Sequence, residues 1–219
     1  MIILNEAVQR EATEKLFSAV IADILDEKGV LNFSMDHGMR QIIDRPVFGR
    51  ALTLLASDLY EQPDELYKME IEAIDMVQPG NVLVAKICGT EYNGFFGELL
   101  GTATLYKGGC GAIIDGYIRD TRQLRDMGFP ICARGHSPLD SKGRCDVIAV
   151  NVPVKCGGVL VQPGDYVFGD EDGIVVIPNA LVSEVIDDAL EKVISENNVR
   201  KDIMQGVSMK DVFQKYGIL

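Results

Sequence analysis

Apolar residues near the start of the chain recur at helical spacing. Leu16, Val20 and Ile24 form one stripe, with Ile21 and Leu25 beside it, so residues 5–28 read as a helix with Gly29 as its C-cap. Arg45 to Leu55 reads as a strand in which Gly49 marks a bend or bulge. Pro63-Asp64 opens a second helix that runs to about Val77. The turn Gln78-Pro79-Gly80-Asn81 then launches an apolar strand from Val82 to Cys88, interrupted only by Lys86. Phe95 to Tyr106 reads as a helix stopped by Gly108-Gly109. Ala112 to Asp115 reads as a short buried strand, Thr121 to Met127 as a short helix and Pro130 to Ala133 as another strand.

From Cys145 the texture becomes β, with short strands over Asp146–Val154, Gly158–Val161, Asp165–Gly169 and Gly173–Ile177 split by Gly and Pro. Asn179 is placed to cap a long helix ending near Arg200, carried by Leu181, Val185, Ala189 and Val193, and a last helix begins at Ser208. Gln162-Pro163-Gly164-Asp165 echoes the earlier Gln78-Pro79-Gly80-Asn81, and recurrent turn chemistry explains the echo better than a repeat. No linker or low-complexity segment interrupts the 219 residues. The pattern is a single mixed α/β domain, 1–219, with sheet layers, flanking helices and a C-terminal helical extension over about 179–219.

Charge narrows the partners. The 21 Lys and Arg stand against 33 Asp and Glu, a net charge of −12, and no run of basic residues exists to displace counterions from a polyanion. Nucleic acid and membrane are therefore not expected partners. No apolar run approaches the roughly 20 residues of a membrane helix, and Glu6 and Arg10 interrupt any signal-peptide core. The five cysteines are odd in number and form no CxxC pair, which argues against both a disulfide framework and a zinc site. They read as small buried residues in a reducing, cytoplasmic setting.

Chemistry concentrates in Gly97 to Asp120. Arg119-Asp120 follows the strand AIID and the Gly116 turn, at a strand's carboxyl end, where open α/β sheets place ligands. Glu98 follows Gly97 at a helix start, where the free N–H groups of Glu98, Leu99 and Leu100 make an anion site. Glycines at 94, 97, 101, 108, 109, 111 and 116 allow close backbone approach. Arg119 offers a planar fork to a carboxylate or enolate. Asp120 and Glu98 are hard oxygen donors suited to Mg²⁺ or Mn²⁺. The plain alternative is an Arg119–Asp120 turn pair salt-bridged to its neighbours.

Other candidates are weaker. His37 and His136 are the only histidines, and neither neighbours a recognisable nucleophile. Lys86 could serve as a Schiff-base amine, but a packed stem with a solvent-reaching head is the commoner state. Gly108-Gly109-Cys110-Gly111 follows a helix and precedes a strand, the reverse of a dinucleotide fingerprint. Asp170-Glu171-Asp172 reads as a solvated turn.

An acid, twenty residues, then Arg-Asp is the signature of the RraA-like family, and Glu98, residues 99–118 and Arg119-Asp120 match it. The block PGDYVFGDEDGIVVIP (163–178) and the stretch Ala22–Asp26 before Gly29 are similar too, so the resemblance covers about residues 15 to 216. Two positions depart from the usual pattern: Gln123 where many members carry an acid, and Asn81 where an aspartate is common. The resemblance implies a three-layer swivelling β/β/α sandwich assembled as a trimer or dimer of trimers. The family includes class II pyruvate aldolases acting on 4-hydroxy-4-methyl-2-oxoglutarate and 4-carboxy-4-hydroxy-2-oxoadipate.

By that resemblance Gly97, Glu98, Leu99 and Leu100 bind the substrate carboxylate, and Arg119 binds substrate and stabilises the enolate. Asp120 is the direct ligand of Mg²⁺ or Mn²⁺. Glu98 holds metal-bound water, joined by Glu196 from the neighbouring subunit's C-terminal helix. The implied activity cleaves a 4-hydroxy-2-oxo acid to pyruvate and a carbonyl product, with oxaloacetate decarboxylation as a side activity. The family also contains regulators that inhibit ribonuclease E by protein contact, a binding function that an acidic surface would suit.

Overall fold

A computed structural model describes residues 1–89 and 93–217 of the chain. Its elements, in order, are α1 (Glu6–Lys15), α2 (Ser18–Glu27), β1 (Arg40–Gln41), β2 (Val47–Asp58), α3 (Lys68–Asp75), β3 (Asn81–Cys88) and β4 (Gly94–Phe96). There follow α4 (Glu98–Tyr106), β5 (Gly111–Ile118), α5 (Thr121–Asp126), β6 (Ile131–His136), β7 (Cys145–Val150), β8 (Val154–Cys156) and β9 (Val159–Val161). The last are β10 (Tyr166–Gly169), β11 (Ile174–Ile177), a single 3₁₀ turn, α6 (Val182–Met204) and α7 (Met209–Tyr216).

Most strands join one mixed, nearly closed sheet in the order β1-β6-β5-β3-β2-β10-β11, with β4 beside β5 and β7 beside β2. The β2-β3, β3-β5, β5-β6 and β4-β5 pairs are parallel. The long β2 splits the sheet, pairing antiparallel with β10 through Val47–Arg50 and with β7 through Leu54–Asp58. The hairpin β8-β9 stands apart from this sheet.

Strand alternation sends successive residues to different cores. Leu83, Ala85, Ala112, Ile114, Ile131 and Ala133 pack on one side with α3, α4 and α5. Val82, Val84, Ile113 and Cys132 point the other way, against the β8-β9 hairpin. Both faces are covered, which is why β3 and β5 read as nearly continuous apolar runs. A third core forms where α1, α2 and α6 close over Phe48, Tyr166, Phe168 and Ile177.

The two Pro-Gly turns are built alike. Gln78 N–H donates to Asn81 Oδ1 and Gln162 N–H donates to Asp165 Oδ2, each at 2.9 Å. An amide oxygen serves as well as a carboxylate, so Asn81 departs from the family pattern at no cost to the turn.

Five elements differ from the sequence reading. Pro63 to Tyr67 is not helical, so α3 opens only at Lys68, and the strand read over Asp146–Val154 is split into β7 and β8. The first helix is two, because Leu16 and Phe17 are extended and Asp170 caps α2 by accepting from Ser18 N–H and Oγ. The acidic 170–172 turn is thus tied to α2 through Asp170 rather than merely solvated. Phe95 and Phe96 belong to β4, where Phe96 stacks on Phe129 at 5.4 Å, and the helix begins only at Glu98. Asn179 does not cap the long helix: its side chain bonds Ile2 and Gly164, and a 3₁₀ turn intervenes before α6. Ser208 does cap α7, accepting from Asp211 N–H.

Candidate functional site

The parallel strands β4 and β5 end together, and each is followed by a helix start. Arg119 N–H donates to Phe96 O at 2.9 Å, extending the pairing one residue past β5. The chain then turns at Asp120, which holds φ 55°, a left-handed conformation that aspartate tolerates better than most residues. The Asp120 carboxylate accepts from Glu98 N–H at 3.1 Å, clamping the start of α4 to the start of α5. A Cβ on Gly97 would lie 2.6 Å from Asp120 Oδ2, so the clamp requires glycine there.

Gly94 and Gly97 both line a cleft of about 300 Å³. The other glycines of the 101–116 stretch pack on Leu124, Pro79, Thr104, Pro130 and Ile87 and serve the core instead. Gly101 N–H returns to Gly97 O, leaving the amides of Leu99 and Leu100 as helix-start donors without a partner among the described residues. Leu99, Leu100, Arg119 and Asp120 all border the cleft. Arg119 and Asp120 are about one-third exposed, so a ligand can reach both.

Arg119 Nη1 pairs with Asp140 Oδ2 at 2.8 Å, and its Nε lies 3.5 Å from Asp120 Oδ2. Burial works against the Arg119 charge, but Asp140 and Asp120 outweigh it and hold its pKa above the usual guanidinium value. The neighbourly salt bridge expected as the plain alternative is therefore present, within a cleft wall. Asp140 also accepts from Tyr67 OH at 3.0 Å and from Lys142 N–H at 3.0 Å. Burial opposes its ionisation, yet these donors and Arg119 keep its pKa below the usual value.

Tyr67, Glu70, Asp140 and Ser141 complete the cleft, and none was anticipated. Glu70 is 6% exposed. Burial first, then the charges of Asp146 and Asp140, push its pKa up to about 7, with Arg119 pulling the other way. A signal for it existed. Glu70 shares a helical stripe with Ala73, Ile74 and Val77, all buried, so an acid occupied a core position of α3.

The structure brings together Gly97, Leu99, Leu100, Arg119 and Asp120. Glu98 contributes its amide, whereas its carboxylate accepts from Thr102 Oγ1 at 2.7 Å along the exposed side of α4. Glu196 is not brought to this cleft. It lies on α6 beside Glu11, Lys15, Phe17 and Arg200, in a separate depression. His136 borders the outer side of Arg119 and Asp120, and His37 is exposed elsewhere. Lys86 Nζ bonds the buried Asp115 at 2.9 Å, so its amine is held in an ion pair. Cys132, Cys145 and Cys156 are buried as expected of small core residues, whereas Cys88 and Cys110 are only half-buried, and none of the five is in a disulfide.

The donor chemistry suits a hard, hydrated cation. The cleft offers carboxylate, hydroxyl and amide groups and no His or Cys. Among the described residues no three His, Cys, Asp or Glu side chains converge. A single carboxylate with ordered waters matches Mg²⁺, which sheds its waters reluctantly.

Helix-start amides, an arginine and a hard carboxylate meet at paired strand ends, a corner whose donors suit a small anion. The family description RraA-like: Aldolase/RraA matches residues 18–176, and the chain belongs to that family. It is 31% identical to an uncharacterised protein of Methanocaldococcus jannaschii over 80% of this chain and 83% of that one. It is 34% identical to a provisionally named 4-hydroxy-4-methyl-2-oxoglutarate aldolase of Halalkalibacterium halodurans, over 58% of this chain and 64% of the relative. Among solved structures it resembles Streptomyces coelicolor RraAS2, described as an unusual member of the RNase ES inhibitor RraA protein family. That match has 32% identity and a TM-score of 0.77, covering 91% of this chain and 98% of that one. No helix among the described residues is long and apolar enough to cross a membrane.

Proposed function

We propose that the protein is a divalent-metal-dependent class II lyase that cleaves a 4-hydroxy-2-oxo acid to pyruvate and a carbonyl product. The observation that carries this is the meeting of Arg119, Asp120 and the free amides of α4 on one cleft. Names of several relatives as 4-hydroxy-4-methyl-2-oxoglutarate aldolases support the class.

Asp120 would hold Mg²⁺ or Mn²⁺ directly, with Glu98 and a neighbouring subunit's Glu196 acting through water; the ion would supply Lewis-acid polarisation of the 2-keto oxygen. The Leu99 and Leu100 amides take the substrate carboxylate, aided by the positive end of α4. Arg119 sets its guanidinium against the 2-keto oxygen. When the C3–C4 bond breaks, the electron pair moves onto that oxygen as an enolate, which Arg119 stabilises. The C4 hydroxyl loses a proton as the carbonyl product forms, and C3 gains one as pyruvate forms, so protons balance. Loss of CO₂ from oxaloacetate yields the same enolate, so decarboxylation accompanies the site. The Lys86–Asp115 pair is not called on.

We take residues 1–219 as one such unit, with about 179–219 as a helical extension, working in the cytoplasm as a trimer or dimer of trimers. A second reading, ribonuclease E regulation by protein contact, draws on the Streptomyces relative's description and the net charge of −12. Pyruvate release from oxaloacetate separates the two. The lyase is expected to release pyruvate with Mg²⁺ and to stop in EDTA. Undiminished turnover after chelation, a lysine adduct trapped by borohydride, or no release at all would overturn the proposal.

A further inference from the structure

Glu70 plays no part in the chemistry just described. The residue is 6% exposed, borders the cleft, and makes neither a hydrogen bond nor an ion pair among the described residues. A largely desolvated carboxyl without a partner is costly, and the exposure it keeps opens on the space a ligand would fill. The head of a 2-oxo acid is fixed at one side of the cleft by Asp120, Arg119 and the α4 amides. Arg119 bridges from Asp120 to Asp140, and Asp140 reaches on to Tyr67 at the start of α3. Glu70 lies one turn further along α3, where the rest of the substrate must lie.

We propose that Glu70 reads the substrate beyond its reacting carbons, and that the substrate is a 2-oxo acid whose tail ends in hydroxyl groups rather than a second carboxylate. The inference rests on the lyase reading for the position of the head. Charge is the main argument. Among the described residues bordering the cleft, Arg119 is the sole cation, and Glu70, Asp120 and Asp140 are acids. Arg119 is already committed to Asp140 and to the substrate's keto oxygen. Among the described residues of this chain, a second carboxylate at the tail would meet no cation and would face Glu70 and Asp140. A hydroxyl would find Glu70 as an acceptor in either protonation state, with Tyr67 OH and Ser141 Oγ nearby. The surroundings already resist ionisation of Glu70 itself, so a further negative charge there is disfavoured.

The test uses binding, so that cleavage is not required. Calorimetry with Mg²⁺ present at pH 8 compares pyruvate, which is head alone, with two probes of equal chain length: 5-hydroxy-2-oxopentanoate and 2-oxoglutarate. The hydroxylated probe is expected to bind more tightly than pyruvate and about tenfold more tightly than 2-oxoglutarate, a gap one hydrogen-bonded group can produce. Glu70→Gln keeps an acceptor and removes the charge, so 2-oxoglutarate should gain severalfold while the hydroxylated probe changes little. Glu70→Met, apolar and of similar length, should drop the hydroxylated probe to the level of pyruvate. Equal or tighter binding of 2-oxoglutarate to the parent protein, or a ratio unmoved by both variants, would overturn the proposal. Oxaloacetate decarboxylation scores the lyase reading separately. A tail preference without decarboxylation would leave Glu70's role standing and remove the lyase, while failure to bind pyruvate at all would remove both.

Discussion

Replacing Glu70 by glutamine should make the protein more stable, by an amount that grows from about pH 4.5 and is complete above pH 7. In the unfolded chain this carboxyl ionises near its ordinary value of 4.5, and in the folded protein near 7. The folded state therefore binds the proton more tightly. Below pH 4.5 both states are protonated and the group has no effect on stability. Between the two values the unfolded chain loses its proton first, and folding stability falls as pH rises. Above 7 the full penalty is present. At roughly 1.4 kcal/mol per pH unit, the gap amounts to about 3 kcal/mol. Glutamine keeps the size and one acceptor and has nothing to ionise.

Urea unfolding, run at one protein concentration because assembly also contributes, gives the stability of parent and variant at pH 4.5 and pH 8.5. The two should lie within about 0.5 kcal/mol of each other at the lower pH. At the higher pH Glu70→Gln should be ahead by about 3 kcal/mol. A variant-minus-parent difference that stays flat between the two pH values would mean that Glu70 ionises normally in the folded state. That would refute both the desolvation argument and the picture of a cleft resistant to added negative charge.

Four further outcomes are expected. Asp120→Asn should lose Mg²⁺ affinity and pyruvate release together, whereas Arg119→Ala should keep the metal by calorimetry and lose about 10²–10³-fold in kcat, as for removal of an oxyanion donor. Gly97→Ala should cut activity as severely as Asp120→Asn with an unchanged circular dichroism spectrum, because its Cβ would sit 2.6 Å from Asp120 Oδ2; full activity would show that the Asp120 clamp is dispensable. Arg134→Met should destabilise the protein by about 1.5–3 kcal/mol in urea, since it strips one charged partner from the buried Asp115 carboxylate and leaves Lys86 in place. Mixed oligomers of Glu196→Ala and Arg119→Ala, each inactive alone, should regain part of the activity if sites are shared between subunits; verified mixtures without recovery would exclude Glu196 from the site.

Much of this site was legible because its parts are local. The twenty residues between Glu98 and Arg119 are one helix, a glycine return and one strand, so their spacing is the geometry of an αβ unit written along the chain. Both Pro-Gly turns could likewise be read, since each is closed by a side chain three residues on. The break at Leu16–Phe17 was hidden because the apolar stripe continues across it, and what ends α1 and starts α2 includes Asp170, far along the chain. Phe95 and Phe96 fitted a helical pattern equally well until the edge of β5 claimed them. Tyr67 and Asp140 escaped notice because their role comes from one hydrogen bond between residues 73 positions apart. Glu70 was visible as an acid on an apolar stripe, yet its meaning depends on Arg119 and Asp140, which only the fold brings near.

The cleft divides into two halves with different mechanical support. The Arg119–Asp120 half hangs on backbone: Arg119 N–H pairs with Phe96 O, Glu98 N–H holds Asp120, and Gly97 leaves no room for anything else. Its geometry follows from strands β4 and β5 and cannot shift without disturbing the sheet. The other half hangs on side chains of α3 and of the loop at residues 137–144, where α3 packs against β7 and α4. Substituting Glu70 or Ile71 changes what the cleft presents to a substrate tail while leaving the Arg119–Asp120 corner on its own supports, whereas Tyr67 also steadies Asp140, the ion-pair partner of Arg119. On the proposed lyase reading, tail preference and bond-breaking chemistry are separable: α3 variants should move the relative binding of 2-oxo acids, and variants at Gly97, Arg119 or Asp120 should move the rate for all of them alike.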